Sequence, residues 1–440
     1  MGRKMRKLLV IGGGKSGLSA LELGHFMDHQ CFLYDDYPEK IEDNTRLFLN
    51  AYGVELLSSE QVKKVDFDTV VVSPGVPQTN KIVKFFLEKN SDVISEIEFG
   101  FRYLKGNVIG ITGSNGKTTT TAMVGHIMHG EEETAVCGNY GYPFCKALIE
   151  QKFEGWYVVE LSSFQLELIK DFKPKIACIL NLSPDHLDRY NSLEDYYFAK
   201  FNIFKNMNKN TVFFANADDD GLLNYRDKLP SFTRWIGEKT LPIGVDEKGI
   251  YYERNLILRS EQVRFKGLHN LYNAAFAISM AHEAGIGLRH CVEKIRSFNP
   301  IEHRLEFVDI IRGVYFYNDS KATNFDSVKK ALSSFKNIRW IAGGIYKGGD
   351  FEDFYIYREN IKKGYFIGDS APIFMGKMKG IIDCEISINI ENAIKHAFNE
   401  ANPGDVILLS PACSSFDQFK NYEERGKVFK NLVKRLKDEL

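Results

Sequence analysis

Cysteine is sparse and unpatterned: seven residues in 440 (Cys31, Cys137, Cys145, Cys178, Cys291, Cys384 and Cys413), odd in number and with no C-x-x-C pair. That argues against a disulfide framework and against cysteine zinc sites, and predicts free thiols in a reducing compartment. An excess of one charge is also missing. With a formal net charge of -1 the chain exerts no general pull on nucleic acid or anionic membrane, so any anion site must be local. Long apolar runs are absent too. The basic start, Met1 to Lys7, is followed by an apolar run of Leu8 to Ile11 that stops at three glycines, too short for a signal peptide, and no stretch approaches membrane-spanning length. A cytoplasmic location is expected. Neither a short-period repeat nor a low-complexity tract interrupts the chain.

What is present is a βα rhythm. Strand-like runs at Lys7 to Ile11, Cys31 to Tyr34, Thr69 to Val72, Val108 to Thr112, Tyr157 to Leu161, Lys175 to Leu182 and Val212 to Ala215 alternate with helical patterns. The rhythm resumes at Val314 to Tyr317, Arg339 to Ala342, Tyr365 to Ile367 and Val406 to Leu409, after a polar break near Asn299-Pro300. The predicted fold class is α/β with three domains, residues 1–97, 98–300 and 301–440: Rossmann-like, central P-loop and again Rossmann-like. Pro230 to Arg264 mixes short β-like pieces with Gly and Pro. Asp218-Asp219-Asp220 reads as a solvated loop before it reads as a metal site, since adjacent carboxylates rarely share one cation without further ligands.

Thr112-Gly113-Ser114-Asn115-Gly116-Lys117-Thr118 follows a strand-like run and precedes a helical one. Glycines let the backbone aim several N–H groups at one anion, the helix N-terminus adds its positive dipole end, Lys117 adds a charge, and the Thr118 hydroxyl suits Mg²⁺. A strict G-x-x-x-x-G-K-[ST] loop needs Gly where Ile111 stands, so this is a shortened variant. It predicts binding of ATP or a close relative.

The first unit carries Gly12-x-Gly14-x-x-Gly17 after a strand, with Asp35-Asp36 ending the next strand. The physics of that fingerprint selects a diphosphate at a helix N-terminus and an acid near a sugar or base; a UDP-linked ligand satisfies it as well as a nicotinamide dinucleotide does. Ser73-Pro74-Gly75 supplies a second turn at the same sheet edge.

In the central unit, Glu160 ends a strand on the edge that carries the phosphate loop, where it serves either as a Mg²⁺ ligand or as a helix cap. His186 lies beyond a further strand end, beside Asp185, Asp188 and Arg189. Lys200 falls on the apolar stripe of a helix opened by Ser192 and Asp195. A buried ammonium is costly, so its stem either snorkels to water or the group has a task; on the residues alone snorkelling is favoured. The task that fits is reaction of a desolvated amine with CO₂, giving an anionic carbamate ligand for a metal.

Taken together these residues resemble the Mur ligase family over nearly the whole chain. The matching stretches are Gly110 to Thr119, Gly138-Asn139, Val159 to Gln165, Asp185 to Tyr190, Ala199-Lys200, His269-Asn270 with Asn273, His303-Arg304, Asn318 to Asn324, Gly343-Gly344 with Lys347-Gly348, and Ser410 to Tyr422. The last block is the most specific, and it is similar to members that add D-glutamate. The resemblance implies an ATP-dependent ligase of cell-wall precursor synthesis that takes UDP-N-acetylmuramoyl-L-alanine and D-glutamate, acts as a monomer, and binds neither nucleic acid nor membrane.

By position it assigns Gly113 to Thr119, with Lys117 foremost, to the ATP phosphates, and Thr118 with Glu160 to a first Mg²⁺. It gives His186 and carbamylated Lys200 to a second Mg²⁺. Lys117, Glu160, His186 and Lys200 then form the catalytic set. Asn270, Asn273, Arg304 and Asp319 go to the nucleotide, and Asn139 and Ser162 to the muramoyl substrate. Lys321, Thr323, Lys347, Ser415 and Tyr422 go to the amino-acid carboxylates, while Gly14, Lys15, Ser16, Asp35, Asp36, Ser73 and Gly75 seat the UDP end. One position departs from the pattern: Tyr37 stands where many members carry Arg.

Overall fold

Leu8 to Ile11 and Val70 to Val72 are apolar without alternation, which suits strands covered on both faces, and all of them are buried. The computed structural model, which describes residues 5–152, 154–185 and 189–439, places them at the centre of a parallel sheet. Its strands are β1 (Lys7–Ile11), β2 (Gln30–Tyr34), β3 (Glu55–Leu56), β4 (Thr69–Val72) and β5 (Val93–Ser95), in the order β3-β2-β1-β4-β5. The order reverses between β1 and β4, the point at which open α/β sheets hold ligands beyond their strand ends.

A second parallel sheet contains β6 (Asn107–Thr112), β7 (Thr134–Gly138), β8 (Trp156–Glu160), β9 (Ile176–Ile179), β10 (Val212–Asn216) and β11 (Thr233–Ile236), ordered β11-β10-β9-β6-β8-β7. The chain joining the two sheets is anchored. Ser95 caps the helix Glu96–Phe101. The buried Glu98 carboxylate accepts the backbone N–H groups of Lys170, Asp171 and Phe172 at 2.9–3.1 Å, and Glu96 accepts that of Cys145 at 2.6 Å. Burial pushes the Glu96 carboxyl up to about 7.

Three short strands follow: β12 (Ile243–Asp246), β13 (Gly249–Tyr252) and β14 (Asn255–Arg259). The last sheet contains β15 (Glu306–Ile311), β16 (Val314–Asn318), β17 (Ile338–Gly343), β18 (Ile361–Ile367), β19 (Cys384–Ile388) and β20 (Val406–Leu409). Its order is β15-β16-β20-β17-β18-β19, with only β15 antiparallel. The chain forms two compact units. One takes in residues up to Val245 with Tyr251–Asn255 and Asn273–Ile295; the other takes in Asp246–Ile250, Leu256–Tyr272 and the chain from Arg296 on.

Every interior strand of the three large sheets is among the runs read from sequence, whereas their six edge strands, β3, β5, β7, β11, β15 and β19, are not. Edge strands are short or half exposed and so lack the unbroken apolar run: β3 has two residues, and β15 alternates partly covered with open positions. β9 is shorter than the Lys175 to Leu182 run, because its last residues leave the ladder to hold the phosphate loop. Asp218 and Asp219 prove to be turn-forming groups, accepting backbone N–H from Glu238 at 2.7 Å and from Leu222 at 2.9 Å. All seven cysteines are free thiols, and no described helix is long and apolar enough to cross a membrane.

Candidate active site

β6 delivers the chain into a loop whose two glycines are required by geometry. Gly113 has φ +148° and Gly116 φ +85°; a Cβ on Gly116 would lie 2.5 Å from Asn273 Oδ1. The strand-end segment after β9 holds the loop from the side. Asn181 accepts the Ser114 N–H on its backbone oxygen (3.0 Å) and the Asn115 N–H on Oδ1 (2.8 Å), and the Ser114 hydroxyl donates to the Ser183 carbonyl at 2.8 Å. Lys117 opens the helix Lys117–Met128, and its ammonium donates to the carbonyls of Gly113 and Ser114, both at 2.8 Å. Thr118 and Thr119 are buried in the first turn. Gly116→Ala combines a left-handed backbone with a side-chain clash, so it is expected to cost about 1–2 kcal/mol of stability and to weaken nucleotide binding. Thermal melting and ATP titration check both, and an unchanged ATP affinity would mean that the loop tolerates the methyl group.

Glu160 ends β8 in register with Ile111 on one side and Gly138 on the other, which sets its carboxylate beside the loop. It is buried; Oε1 accepts from Asn139 Nδ2 at 2.8 Å, while Oε2 has no partner. The helix that follows is capped by Ser162, which accepts the Gln165 N–H at 3.3 Å, so the cap reading of Glu160 is set aside. Asn139 thereby orients the carboxylate, and the Ser162 hydroxyl is engaged with Gln165.

The snorkelling that the residues alone favour for Lys200 does not occur. Its side chain, on the helix Leu193–Phe201, is only 1% exposed, and the ammonium donates to the Gly113 carbonyl at 3.1 Å with the Tyr196 ring centroid 4.3 Å away. The same carbonyl accepts from Lys117. Two cations on one oxygen repel, and burial, followed by the Lys117 charge, holds the Lys200 amine well below its ordinary value. His186, the fourth member of the predicted catalytic set, lies outside the described residues.

At the reversal point of the first sheet is a cavity of about 980 Å³ lined by Gly14, Lys15, Ser16, Asp35, Asp36, Ser73 and Gly75 among others, so the predicted UDP residues converge. Both acids also brace it: Asp35 accepts the Gly13 and Tyr37 N–H groups at 2.8 and 2.9 Å, and Asp36 accepts Tyr34 Oη at 2.8 Å and Asn80 Nδ2 at 2.6 Å. Tyr37 is exposed at the rim, with the Lys40 ammonium 4.2 Å from its ring centroid. Arg189 joins this turn to the central sheet, donating to the Pro74 carbonyl at 2.6 Å and stacking 3.9 Å over Phe164.

In the other unit, the ends of β16, β20 and β17 are adjacent and parallel, so their loops meet. Asp319 accepts from the Leu305 N–H at 3.1 Å and the Ser410 hydroxyl at 2.8 Å, and burial pushes its carboxyl up to about 7. Lys321 places its ammonium 5.2 Å from the Tyr422 ring centroid, Ser415 is buried with its hydroxyl unpartnered, and Thr323 and Lys347 lie on the same set of loops, Lys347 exposed. Asn270 is buried, donating to the Lys266 carbonyl at 2.8 Å, and Arg304 lies at the His303-Arg304 turn before β15.

Comparison with known sequences matches residues 111–281 to the Mur ligase middle domain and residues 303–413 to the Mur ligase glutamate ligase domain. The chain is 37% identical to a UDP-N-acetylmuramoylalanine--D-glutamate ligase from Acidobacterium capsulatum, over 98% of this chain and 96% of that one. It belongs to the Mur ligase family. A second relative of the same description, from Rickettsia prowazekii, is 38% identical over 98% of both chains. Among solved structures, a Mur ligase of the MurF type from Thermotoga maritima, in complex with ADP, shares the fold with a TM-score of 0.63 at 16% identity, covering 98% of this chain and 96% of that one.

Membership of the Mur ligases implies ATP and Mg²⁺, and the residues fit a hard cation. A buried carboxylate oxygen without a partner, beside a buried threonine in the first turn of a phosphate-loop helix, is an oxygen donor set that relies on nucleotide phosphate for the rest. Sequence reading missed two participants, Asn181 and Ser183, which brace the loop; their signal was present: polar residues immediately after a buried strand.

Proposed function

We propose that the protein is an ATP-dependent ligase that joins D-glutamate to UDP-N-acetylmuramoyl-L-alanine in peptidoglycan precursor synthesis. One observation carries the reading: Lys117 and a buried, depressed-pKa Lys200 share the Gly113 carbonyl beside a phosphate loop, with the unpaired Glu160 oxygen at the neighbouring strand end. The family and the names of its relatives set the substrates.

Joining a carboxylate to an amine in water is unfavourable, so the acid needs a better leaving group than oxide. The alanyl carboxylate attacks the γ-phosphorus of ATP, the bond to the bridging oxygen breaks, and ADP leaves an acyl phosphate. The amine of D-glutamate then attacks that carbonyl, the C–N bond forms, inorganic phosphate departs with the electron pair of the C–O bond, and the proton lost by the amine ends on the phosphate. Two anions must meet in the first step. Lys117 and the N-terminus of the helix Lys117–Met128 oppose that repulsion. Thr118 and Glu160 would hold one Mg²⁺, and His186 with carbamylated Lys200 a second; when bound, the ions neutralise phosphate charge. Asn139 keeps the Glu160 carboxylate oriented, and Arg189 ties the turn that seats the UDP end to the central sheet.

Phosphate release is expected with ATP, UDP-N-acetylmuramoyl-L-alanine and D-glutamate, and from no other acid in a panel of amino acids. ATP binding without turnover, or preference for a different amino acid, would overturn the assignment.

A further inference from the structure

Arg425 is a buried cation that no described carboxylate pairs with. It lies in the first turn of the helix Tyr422–Asp438 and is 1% exposed. Its Nε donates to Ser320 Oγ at 3.0 Å, and Nη2 to the carbonyls of Ser320 at 2.8 Å and Cys413 at 3.1 Å; Nη1 reaches the Gly343 carbonyl at 3.5 Å. These acceptors are neutral: Ser320 and Cys413 lie on the loops after β16 and β20, and Gly343 ends β17. A planar guanidinium with five donors can span three segments at once, which an ammonium cannot. The acids whose charge reaches Arg425 spend their oxygens elsewhere: Asp417 on the Asp369 N–H at 3.1 Å, and Asp319 on Leu305 and Ser410. Burial draws the guanidinium down to about 10, so it remains charged at neutral pH.

Each loop it ties carries a residue assigned to the amino acid. Ser320 precedes Lys321, Gly343 leads to Lys347, and Cys413 lies two residues before Ser415, whose buried hydroxyl is unpartnered. The Ser320 hydroxyl, which accepts from Arg425, donates in turn to the Tyr422 carbonyl at 2.8 Å. An uncompensated buried charge is tolerated where a ligand supplies its counter-charge. We propose that Arg425 is the positioning residue of the amino-acid site: it fixes the three strand-end loops and presents a buried positive charge that the dicarboxylate of D-glutamate balances. The inference rests on the ligase reading above.

The test compares parent, Arg425→Gln and Arg425→Lys in steady-state kinetics with all three substrates, with thermal melting of each protein. Arg425→Gln is expected to raise KM for D-glutamate by about 10–100-fold while the KM values for ATP and UDP-N-acetylmuramoyl-L-alanine stay within about twofold, and Arg425→Lys to recover only part of the loss, because it keeps the charge but cannot span the three segments. Equal losses in both variants, or a D-glutamate KM in Arg425→Gln within about twofold of the parent, would overturn the proposal. If Arg425→Gln does not fold, Ser320→Ala removes one acceptor and is expected to raise the same KM by about fivefold; no rise overturns the proposal as well. A parent protein that does not turn over D-glutamate defeats the ligase reading instead, so the two failures are told apart.

Discussion

Lys200→Ala is expected to reduce ligase activity by about 10²–10³-fold, the scale of removing a group that stabilises transition-state charge, and added short carboxylates such as formate are expected to restore part of it. The restored fraction follows from the proposed role. If the working group is an anion at the position of the Lys200 amine, a small carboxylate entering the space left by three methylenes and the amine supplies a like charge. The folded structure also predicts an opposite effect on stability. The Lys200 amine is held well below its unfolded value, first by burial and then by the Lys117 charge, so between the two values the unfolded chain binds more protons. That penalty is fully present at and below the folded-state value and fades as pH rises towards the unfolded lysine value. Lys200→Met, in carbonate-depleted buffer, should therefore melt no lower than the parent at pH 7, with its advantage shrinking towards pH 10. Full activity of Lys200→Ala would remove the carbamate from the mechanism.

The contrast between Lys200 and the phosphate loop marks what a sequence can carry. The loop was legible because its chemistry is local: consecutive residues, two obligatory glycines and a helix start. Lys200 was ambiguous because the outcome depends on groups 83 and 87 positions away, Lys117 and the Gly113 carbonyl, and no periodicity encodes that meeting. On its helix, Leu193–Phe201, the exposed polar residues Glu194 and Asp195 lie in the first turn, while Lys200 lies in the last among the buried Tyr196, Tyr197, Ala199 and Phe201. Arg425 is the extreme case. Glu423-Glu424-Arg425 resembles any solvated first turn, and only the adjacency of β16, β20 and β17 turns that residue inward onto three loops. The sheets divide in the same way. Interior strands announce themselves as continuous apolar runs, whereas edge strands such as β15 and β19 are made by pairing on one side alone and keep exposed positions that look like loop.

Glu160→Gln separates a structural carboxylate from a metal ligand, and a large loss of activity with little loss of stability is the expected result. Gln has the same shape and keeps an oxygen for the Asn139 amide, whose bond to Glu160 Oε1 is 2.8 Å. The fold also loses a buried, half-satisfied carboxylate, since Oε2 has no partner. Stability should therefore change by no more than about 1 kcal/mol. Ligation is different, because the amide is neutral and offers an N–H₂ group where the second oxygen stood. Activity is expected to fall by about 10²–10³-fold, and the Mg²⁺ concentration for half-maximal rate to rise by about tenfold or more. Asn139→Ala provides the complementary case: the carboxylate keeps its charge but loses its orienting donor, so activity falls less, by about 10–100-fold, the range seen when an outer partner of a metal ligand is removed. Unchanged Mg²⁺ dependence in Glu160→Gln would place the cation elsewhere on the sheet edge and leave the unpaired oxygen without a role.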